Sequence, residues 1–434
     1  MKLLSLTSAL CLTAVLSAQD LTPKAPPQAG PIVIENAILH TIDAGVIANG
    51  TLWFEGGRIR GVGPVASELG IPPGAERVDG RGLHVYPGLI GANTRIGLEE
   101  IEAVRATRDF DEVGDATPEA RAAVAVNPDS TVIPVTRANG VLSVGVIPSG
   151  GLVPGRAAVM QLAGWTWEEM AVDADCGIVV EWPSLSSRRG RDDEERVARA
   201  LEQRATIDAA FRDARAYLEA RSHDPALATD VRALALAPAL RGEEPVLVRA
   251  DNVEQIQSAV TWAVGLGLRV VILGGEDALL CRDLLRMHDV GIIVTGTHRL
   301  PKRRDAAVDE PFRLPAELDA AGLRWCLASN SPFYNERNLP YHAATAVAYG
   351  LDHDAALRAI TLSAAELLGV ADELGSLSVG KRATLLLTDG DPLEFTTEIR
   401  RAFVEGRAID LGSKHTRLAE KYREKYRQLG IERK

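Results

Sequence analysis

Residues 246–294 read VLVRADNVEQIQSAVTWAVGLGLRVVILGGEDALLCRDLLRMHDVGIIV, and this stretch decides the fold. Short runs of branched apolar residues alternate in it with segments whose apolar residues recur at helical spacing. The pattern predicts strands at 246–248, 269–273 and 291–294 and helices at 253–264 and 278–287. Strands separated by helices of this length pair in parallel, so the stretch indicates a parallel sheet covered by helices.

The same alternation continues on both sides of this stretch. A further apolar strand is predicted at 324–329, and the repeated strand–helix units between residues 87 and 374 fit a (β/α)8 barrel of the α/β class. One long helix is predicted over 192–221. We expect that helix to pack on the barrel through one face, formed by Val197, Leu201, Ile207, Phe211 and Leu218.

Two distant segments carry the pattern of antiparallel strands instead. Apolar runs in 31–63 are separated by Asn-Gly and Gly-Gly turns, and those in 382–409 by an Asp-Gly-Asp-Pro turn. Neither segment is long enough to fold alone, so we predict that they form one composite domain. The predicted organisation is a signal peptide 1–18, a proline-rich linker 19–30, a composite β-sandwich 31–86 with 375–412, a barrel 87–374 and a C-terminal helix 413–434.

Composition and the N-terminus narrow the classes of protein. The 434 residues carry a formal net charge of −11 and a pI near 5.4, which argues against a nucleic-acid partner because phosphates would be repelled. The apolar run at 3–16, followed by small residues, predicts a secretory signal too short for a membrane span, hence a secreted or periplasmic protein. Cys176, Cys281 and Cys326 are interpreted as buried apolar residues, with one oxidised pair as the alternative.

Three motifs carry a resemblance to a known family. They are VYPGLI at 85–90, GSLSVGKRA at 375–383 and DGDPL at 389–393. In this order and spacing they resemble the segments that lead into and out of the barrel in the amidohydrolase superfamily, specifically its imidazolonepropionase-like branch. The resemblance implies a metal-dependent hydrolase that cleaves non-peptide carbon–nitrogen bonds, often in cyclic amides.

The metal ligands of that family are replaced in this sequence. The resemblance implies a His-x-His pair after the first barrel strand, a His after the fifth and sixth strands, and an Asp after the eighth. By position these sites carry Asn93 and Arg95, then Arg249, then Gly274, and finally Asn330. Gly91 stands where an Asp commonly precedes the histidine pair.

The chemistry of the replacing side chains determines whether they can bind a metal ion. A guanidinium stays protonated and has no lone pair to donate, and an amide oxygen is a weaker ligand than a carboxylate. Arg95 and Arg249 bring two positive charges to the place where a divalent cation would lie. The sequence therefore predicts a degenerate site with no metal cofactor and no catalytic residue; the alternative is a cation such as zinc on unconventional ligands.

Three interpretations of the barrel mouth stay open. The arginines and carboxylates either neutralise each other in a filled barrel, or form a clamp for a small anion, or supply oxygen ligands to a different cation. The candidate pocket residues are Asn93, Arg95, Arg249, Asp251, Glu276 and Asn330, with Glu99, Glu100, Asp277 and His298 near them. A further alternative is a non-catalytic subunit that forms a homo-oligomer, or a hetero-oligomer with an intact amidohydrolase relative.

Overall fold

The structure is a computed structural model that describes residues 22–185, 193–329 and 333–431. The predicted signal peptide at 1–18 and Asn330 lie outside these residues. Two separate eight-stranded sheets organise the described chain, one closed nearly into a barrel and one built from both ends of the chain. Within the described parts, no helix is both long and apolar enough to cross a bilayer.

The elements follow the chain in this order. The strands are β1 Ile32–His40, β2 Val46–Glu55, β3 Arg58–Gly63, β4 Glu76–Asp79, β5 His84–Pro87, β6 Leu89–Thr94, β7 Val141–Val146, β8 Gly155–Gln161, β9 Ala171–Glu181, β10 Val246–Ala250, β11 Val270–Gly274, β12 Gly291–Val294, β13 Trp325–Leu327, β14 Leu385–Thr388, β15 Ile399–Val404 and β16 Arg407–Ala408. The helices are α1 Ala122–Ala125, α2 Val132–Arg137, α3 Trp167–Met170, α4 Asp193–His223, α5 Val231–Leu240, α6 Val253–Gly265, α7 Arg282–Met287, α8 Glu310–Ala320, α9 Leu339–Ala348, α10 His353–Ala359, α11 Leu362–Leu367 and α12 Lys414–Gln428.

The barrel sheet runs in sequence order from β6 to β13. The α/β barrel predicted from the alternation is confirmed, with one departure. The third strand, β8, is antiparallel to both β7 and β9, while the other neighbouring strands of this sheet are parallel. The short connection through Gly150 and Gly151, both with positive φ, lets β7 turn straight back into β8 without a crossover helix.

Side chains inside the barrel form a dry core. Ile90 of β6, Val179 of β9, Leu247 of β10, Leu273 of β11 and Ile293 of β12 are fully buried in one cluster. Because side chains alternate along a strand, the residues two positions beyond Val179 and Leu247 also face inward. Glu181 and Arg249 therefore face the barrel interior beyond this core, near the carboxyl ends of β9 and β10.

The second sheet joins the two ends of the chain. Its order is β16-β15-β14-β5-β1-β2-β3, and β4 pairs with the first half of β1. β1 changes its partner near Asn36, whose φ of 62° marks a bulge, and its second half pairs with β5. β14 then pairs antiparallel with β5. The predicted composite domain is confirmed because strands from residues 32–87 and 385–408 share one sheet.

Helix α4 covers the barrel through a narrower face than the sequence suggests. Ile207 and Phe211 are fully buried, and Ala200 and Ala214 complete the buried face. Leu201 was expected on that face, and this expectation is wrong, because Leu201 is 51% exposed. The predicted helix over 278–287 is also split, since a single 3-10 turn at 278–281 precedes α7.

The three cysteines are buried, whereas the C-terminal helix is exposed to solvent. Cys176, Cys281 and Cys326 are buried and free, which fits their interpretation as small apolar residues. Helix α12 has no buried residue, as expected of a solvated terminal helix.

The packing of α4 predicts a sharp difference between two apolar positions. The Phe211 ring meets Trp262 edge-on at 5.1 Å, and Trp262 lies 5.0 Å from Trp182. Phe211→Ala should lower the free energy of unfolding by about 3–5 kcal/mol because it leaves a cavity between α4 and α6. Leu201→Ala, on the exposed side of the same helix, should cost less than about 1 kcal/mol. Urea denaturation of both variants checks this, and equal losses would contradict the assigned face.

Candidate functional site

Two neighbouring barrel strands place opposite charges side by side at their carboxyl ends. Arg249 of β10 and Glu181 of β9 are register partners, so both side chains leave the sheet on its inner face. Arg249 Nε donates to Glu181 Oε1 at 3.0 Å. Arg249 remains 31% exposed and Glu181 25% exposed, so solvent reaches this pair.

Arg95 follows the first barrel strand and is held in a different way. Its guanidinium stacks on the Phe110 ring at 4.1 Å, and Arg108 lies 4.9 Å from the same ring. Glu99, only 2% exposed, faces both cations: its Oε2 is 3.6 Å from Arg95 Nη1 and its Oε1 is 3.8 Å from Arg108 Nε. These distances exceed those of a hydrogen bond, so the attraction is mainly between charges.

The two arginines lie in one electrostatic neighbourhood. Burial lowers the pKa of Arg95, Glu99 and Glu181 raise it, and the charge of Arg249 lowers it further. We call these residues the Arg95 cluster: Arg95, Arg108, Arg249, Glu99 and Glu181. Because the cluster has three guanidinium groups and two carboxylates, it keeps an excess of positive charge.

A second set of charges occupies the ends of the next strands. Lys302 Nζ lies 3.1 Å from Asp251, just after β10, and 3.0 Å from Glu276, just after β11. Arg299 Nη1 lies 3.4 Å from Glu276. Burial and the charge of Asp251 raise the pKa of Glu276. These four residues, the Asp251 cluster, carry two positive and two negative charges.

The structure separates the residues that the sequence groups at the mouth. Among the described residues, no ion pair joins the Arg95 cluster to the Asp251 cluster. Asp277 pairs with Arg303 at 2.6 Å. Asn93 is half-buried on β6. Glu100 is paired away from the cations, accepting a hydrogen bond from Asn127 at 3.3 Å.

His298 belongs to a histidine pair after the seventh strand. Its side chain is exposed, and its ring lies 4.1 Å from that of His342. Burial lowers the pKa of His342 to about 3, so that imidazole is neutral. His298 Nε2 bonds to Thr345 Oγ1 at 2.8 Å.

Glu336 is a buried acid that the sequence did not single out. It lies in a 3-10 turn beyond β13, it is fully buried, and Ser329 Oγ donates to its Oε2 at 2.6 Å. Its Oε1 is buried and has no hydrogen-bond partner within the described stretches of the chain. A Cβ atom at Gly91 would lie 2.3 Å from that oxygen, so the carboxyl group fills the space that a side chain at 91 would take.

The position of Glu336 explains why the sequence did not indicate it and why its pKa is raised. It closes the seam between the ends of β6 and β13, the two terminal strands of the barrel sheet. Burial raises its pKa to about 7, although the hydroxyl groups of Ser329 and Thr94 hydrogen-bond to it and lower the pKa. The sequence offers one signal of this acid. Gly91 has no side chain where the resemblance places an Asp, so another group has to fill that space.

The donor atoms at the strand ends do not fit a divalent cation. The positions that the resemblance assigns to ligands hold guanidinium groups at Arg95 and Arg249 and no side chain at Gly274. Through the three described stretches, no group of three or more His, Cys, Asp or Glu residues has a geometry that could hold a metal ion. Five carboxylates at the strand ends are each paired with a cationic side chain instead: Glu99, Glu181, Asp251, Glu276 and Asp277.

Glu336 predicts a pH dependence of stability. Its folded pKa near 7 lies above its ordinary 4.5, so the folded state binds the extra proton between these values. The contribution is complete below pH 4.5 and is lost as the pH rises through 7. Glu336→Gln should therefore flatten the fall of the unfolding free energy between pH 5 and 8 by up to about 1 kcal/mol per pH unit. Denaturant unfolding at several pH values measures it, with the exposed Glu219→Gln as control; parallel curves for Glu336→Gln and wild type would refute it.

Comparisons with known proteins agree with this architecture. Residues 290–409 match the family model described as "Amidohydrolase family". A crystal structure of an amidohydrolase from Thermotoga maritima superimposes with a TM-score of 0.77 at 23% identity, covering 87% of this chain and 99% of that one. An adenosine deaminase from Xanthomonas campestris with bound zinc gives a TM-score of 0.52 at 16% identity, covering 93% of this chain and 100% of that one.

A sequence relative matches a much smaller part of this chain. The amidohydrolase tasK of Hapsidospora irregularis is 31% identical over 87 residues, which is 20% of this chain and 9% of that protein. The match thus spans a small part of the relative, and the structural neighbours establish the fold alone. This chain has the same fold as the Thermotoga maritima amidohydrolase structure, and its residues 290–409 match the amidohydrolase family model.

Proposed function

We propose that this chain is an amidohydrolase-superfamily protein that has lost metal-dependent hydrolysis and binds a small anion at the barrel mouth through Arg95 and Arg249. The observation that carries the proposal is the excess positive charge of the Arg95 cluster, where three guanidinium groups face two carboxylates. Binding of an anion would neutralise that excess.

The geometry of both arginines leaves donors for a ligand. Arg249 uses Nε toward Glu181, and its two terminal amino groups have no hydrogen-bond partner in the part of the chain that the structure describes. Arg95 is fixed by Phe110 and by a charge at 3.6 Å, and it is 32% exposed. A planar carboxylate matches such fork-shaped donors better than it matches an ammonium group.

The competing cation interpretation has weaker support. A cation at the second cluster would have to take Asp251 and Glu276 away from Lys302, and Glu276 also from Arg299. A cation at the first cluster would face the charge excess directly, and the repulsion between like charges would oppose it. The fully neutralised interpretation fits the Asp251 cluster, where the charges balance, but not the Arg95 cluster.

The proposed loss of the metal site predicts the metal content of the purified protein. Protein purified without added metal should contain far less than one zinc, iron or manganese ion per chain, because guanidinium groups occupy the ligand positions. Elemental analysis by plasma mass spectrometry measures this, and treatment with a chelator should leave the melting temperature unchanged. One tightly held transition-metal ion per chain would return the protein to the metal-dependent hydrolases.

The anion clamp predicts a ligand-dependent gain in stability. Succinate should raise the melting temperature, and the double variant Arg95→Lys with Arg249→Lys should weaken its binding by about tenfold or more, since lysine keeps the charge but loses the fork. Calorimetry at constant ionic strength gives the affinities.

A matched control lies at the opposite end of β10. Arg241 also contacts a glutamate through Nε, at 2.7 Å from Glu243, but it lies before the strand and not after it. Arg241→Lys should leave succinate binding unchanged. Equal binding by wild type and the double variant would overturn the proposed clamp.

A further inference from the structure

Arg299 has an unusual environment for a buried cation. It follows β12, the seventh strand of the barrel, and its side chain is only 7% exposed. Its Nη1 lies 3.4 Å from Glu276 Oε2. Its Nε and Nη2 atoms are covered by the protein and have no hydrogen-bond partner among the described residues.

Such unpaired donors are costly. A buried N–H group without an acceptor loses its hydrogen bonds to water and gains nothing in return, and the loss is larger on a charged group. Buried arginines in proteins are therefore normally paired on all sides. Arg299 faces a carboxylate through Nη1, whereas its Nε and Nη2 atoms are buried without an acceptor among the described residues.

The same edge binds carboxylates elsewhere in this chain. Nε and Nη2 lie on one side of the guanidinium and donate in parallel. Arg121 uses them on the two oxygens of Asp175, at 2.9 and 2.7 Å. Arg241 does so on Glu243 at 2.7 and 2.8 Å, and Arg427 on Glu424 at 2.7 Å for both contacts.

We infer that the Nε–Nη2 edge of Arg299 is a binding site for the carboxylate group of a small ligand. The observation behind it is the pair of parallel, buried donors that lack an acceptor. A carboxylate fits this edge because its two oxygens accept from two parallel donors, as those of Asp175 do from Arg121. The inference goes beyond the proposed clamp at Arg95 and Arg249, because it concerns a different cation and a different pair of strands.

Arg299 lies in a connection and not in a helix or strand. Residues 295–309 join β12 to α8 without regular structure. Lys302 ties this connection to Asp251 and Glu276, and Arg303 ties it to Asp277. Lys302 is 65% exposed, so its contacts are open to water and are weak.

Acetate is the probe that tests the inference, with acetamide as its neutral counterpart at the same ionic strength. Acetate but not acetamide should raise the melting temperature of the full chain. Arg299→Lys should weaken acetate binding by about tenfold or more, because one ammonium group cannot reproduce the two parallel donors. Arg427→Lys, whose edge is already filled by Glu424, should bind acetate like wild type.

A second variant separates binding from folding. Arg299→Met removes both donors of the edge and also takes one cationic partner from Glu276, so its melting temperature without acetate should fall, and its acetate response should be lost. A lower melting temperature together with an unchanged acetate response would mean that Arg299 is structural and that only water meets its edge. Either variant's retention of the full response overturns the inference.

The Arg95 and Arg249 double variant distinguishes the two sites. Retained acetate binding in that variant, with loss in Arg299→Lys, supports the Arg299 site whatever the fate of the clamp. Loss only in the double variant places the anion at the clamp and refutes the Arg299 site.

Discussion

The organising constraint at the barrel mouth is that a guanidinium taken out of water needs an acceptor. Side chains at the carboxyl ends of β9 and β10 obey it through the Arg249–Glu181 pair, and Glu99 serves Arg95 and Arg108 together. These pairings lie at the carboxyl ends of the barrel strands. Among the described residues, the mouth is therefore lined by a network of ion pairs.

The barrel can hold this network because its ends are fixed by the second sheet. β5 pairs with β14, so the strand that leads into the barrel is paired with the strand that leaves it. Gly88 lies at the crossing, where its N–H donates to Thr384 O at 2.9 Å and a Cβ would come within 2.9 Å of Leu142. Arg382 bonds to both Glu373 and Glu405 and ties the return segment to the sheet. The first barrel strand, and with it Arg95, starts from this fixed point.

The seam between β6 and β13 shows how the space beside a glycine is filled by a distant side chain. Gly91 has no side chain, and the carboxyl group of Glu336 enters the space from another part of the chain. An acid thus remains beside the first strand, but it is buried and bonded to Ser329 rather than open to the mouth. Its role is to hold two strand ends together, since those strands are the termini of the sheet.

The sequence by itself determined the barrel and the composite sheet, because period-2 and helical apolar patterns and the motifs at 85–90 and 375–383 are local properties of the chain. It also placed Arg95 and Arg249 after their strands, since those strands could be counted; the loss of the metal ligands stays a prediction. Only the tertiary structure decided which charges pair, that β8 runs backwards, that Leu201 faces water, and that Glu336 and Arg299 are buried with unpaired atoms. Which charges pair and which side chains are buried depend on residues distant in sequence. These contacts are therefore decided only when the chain folds.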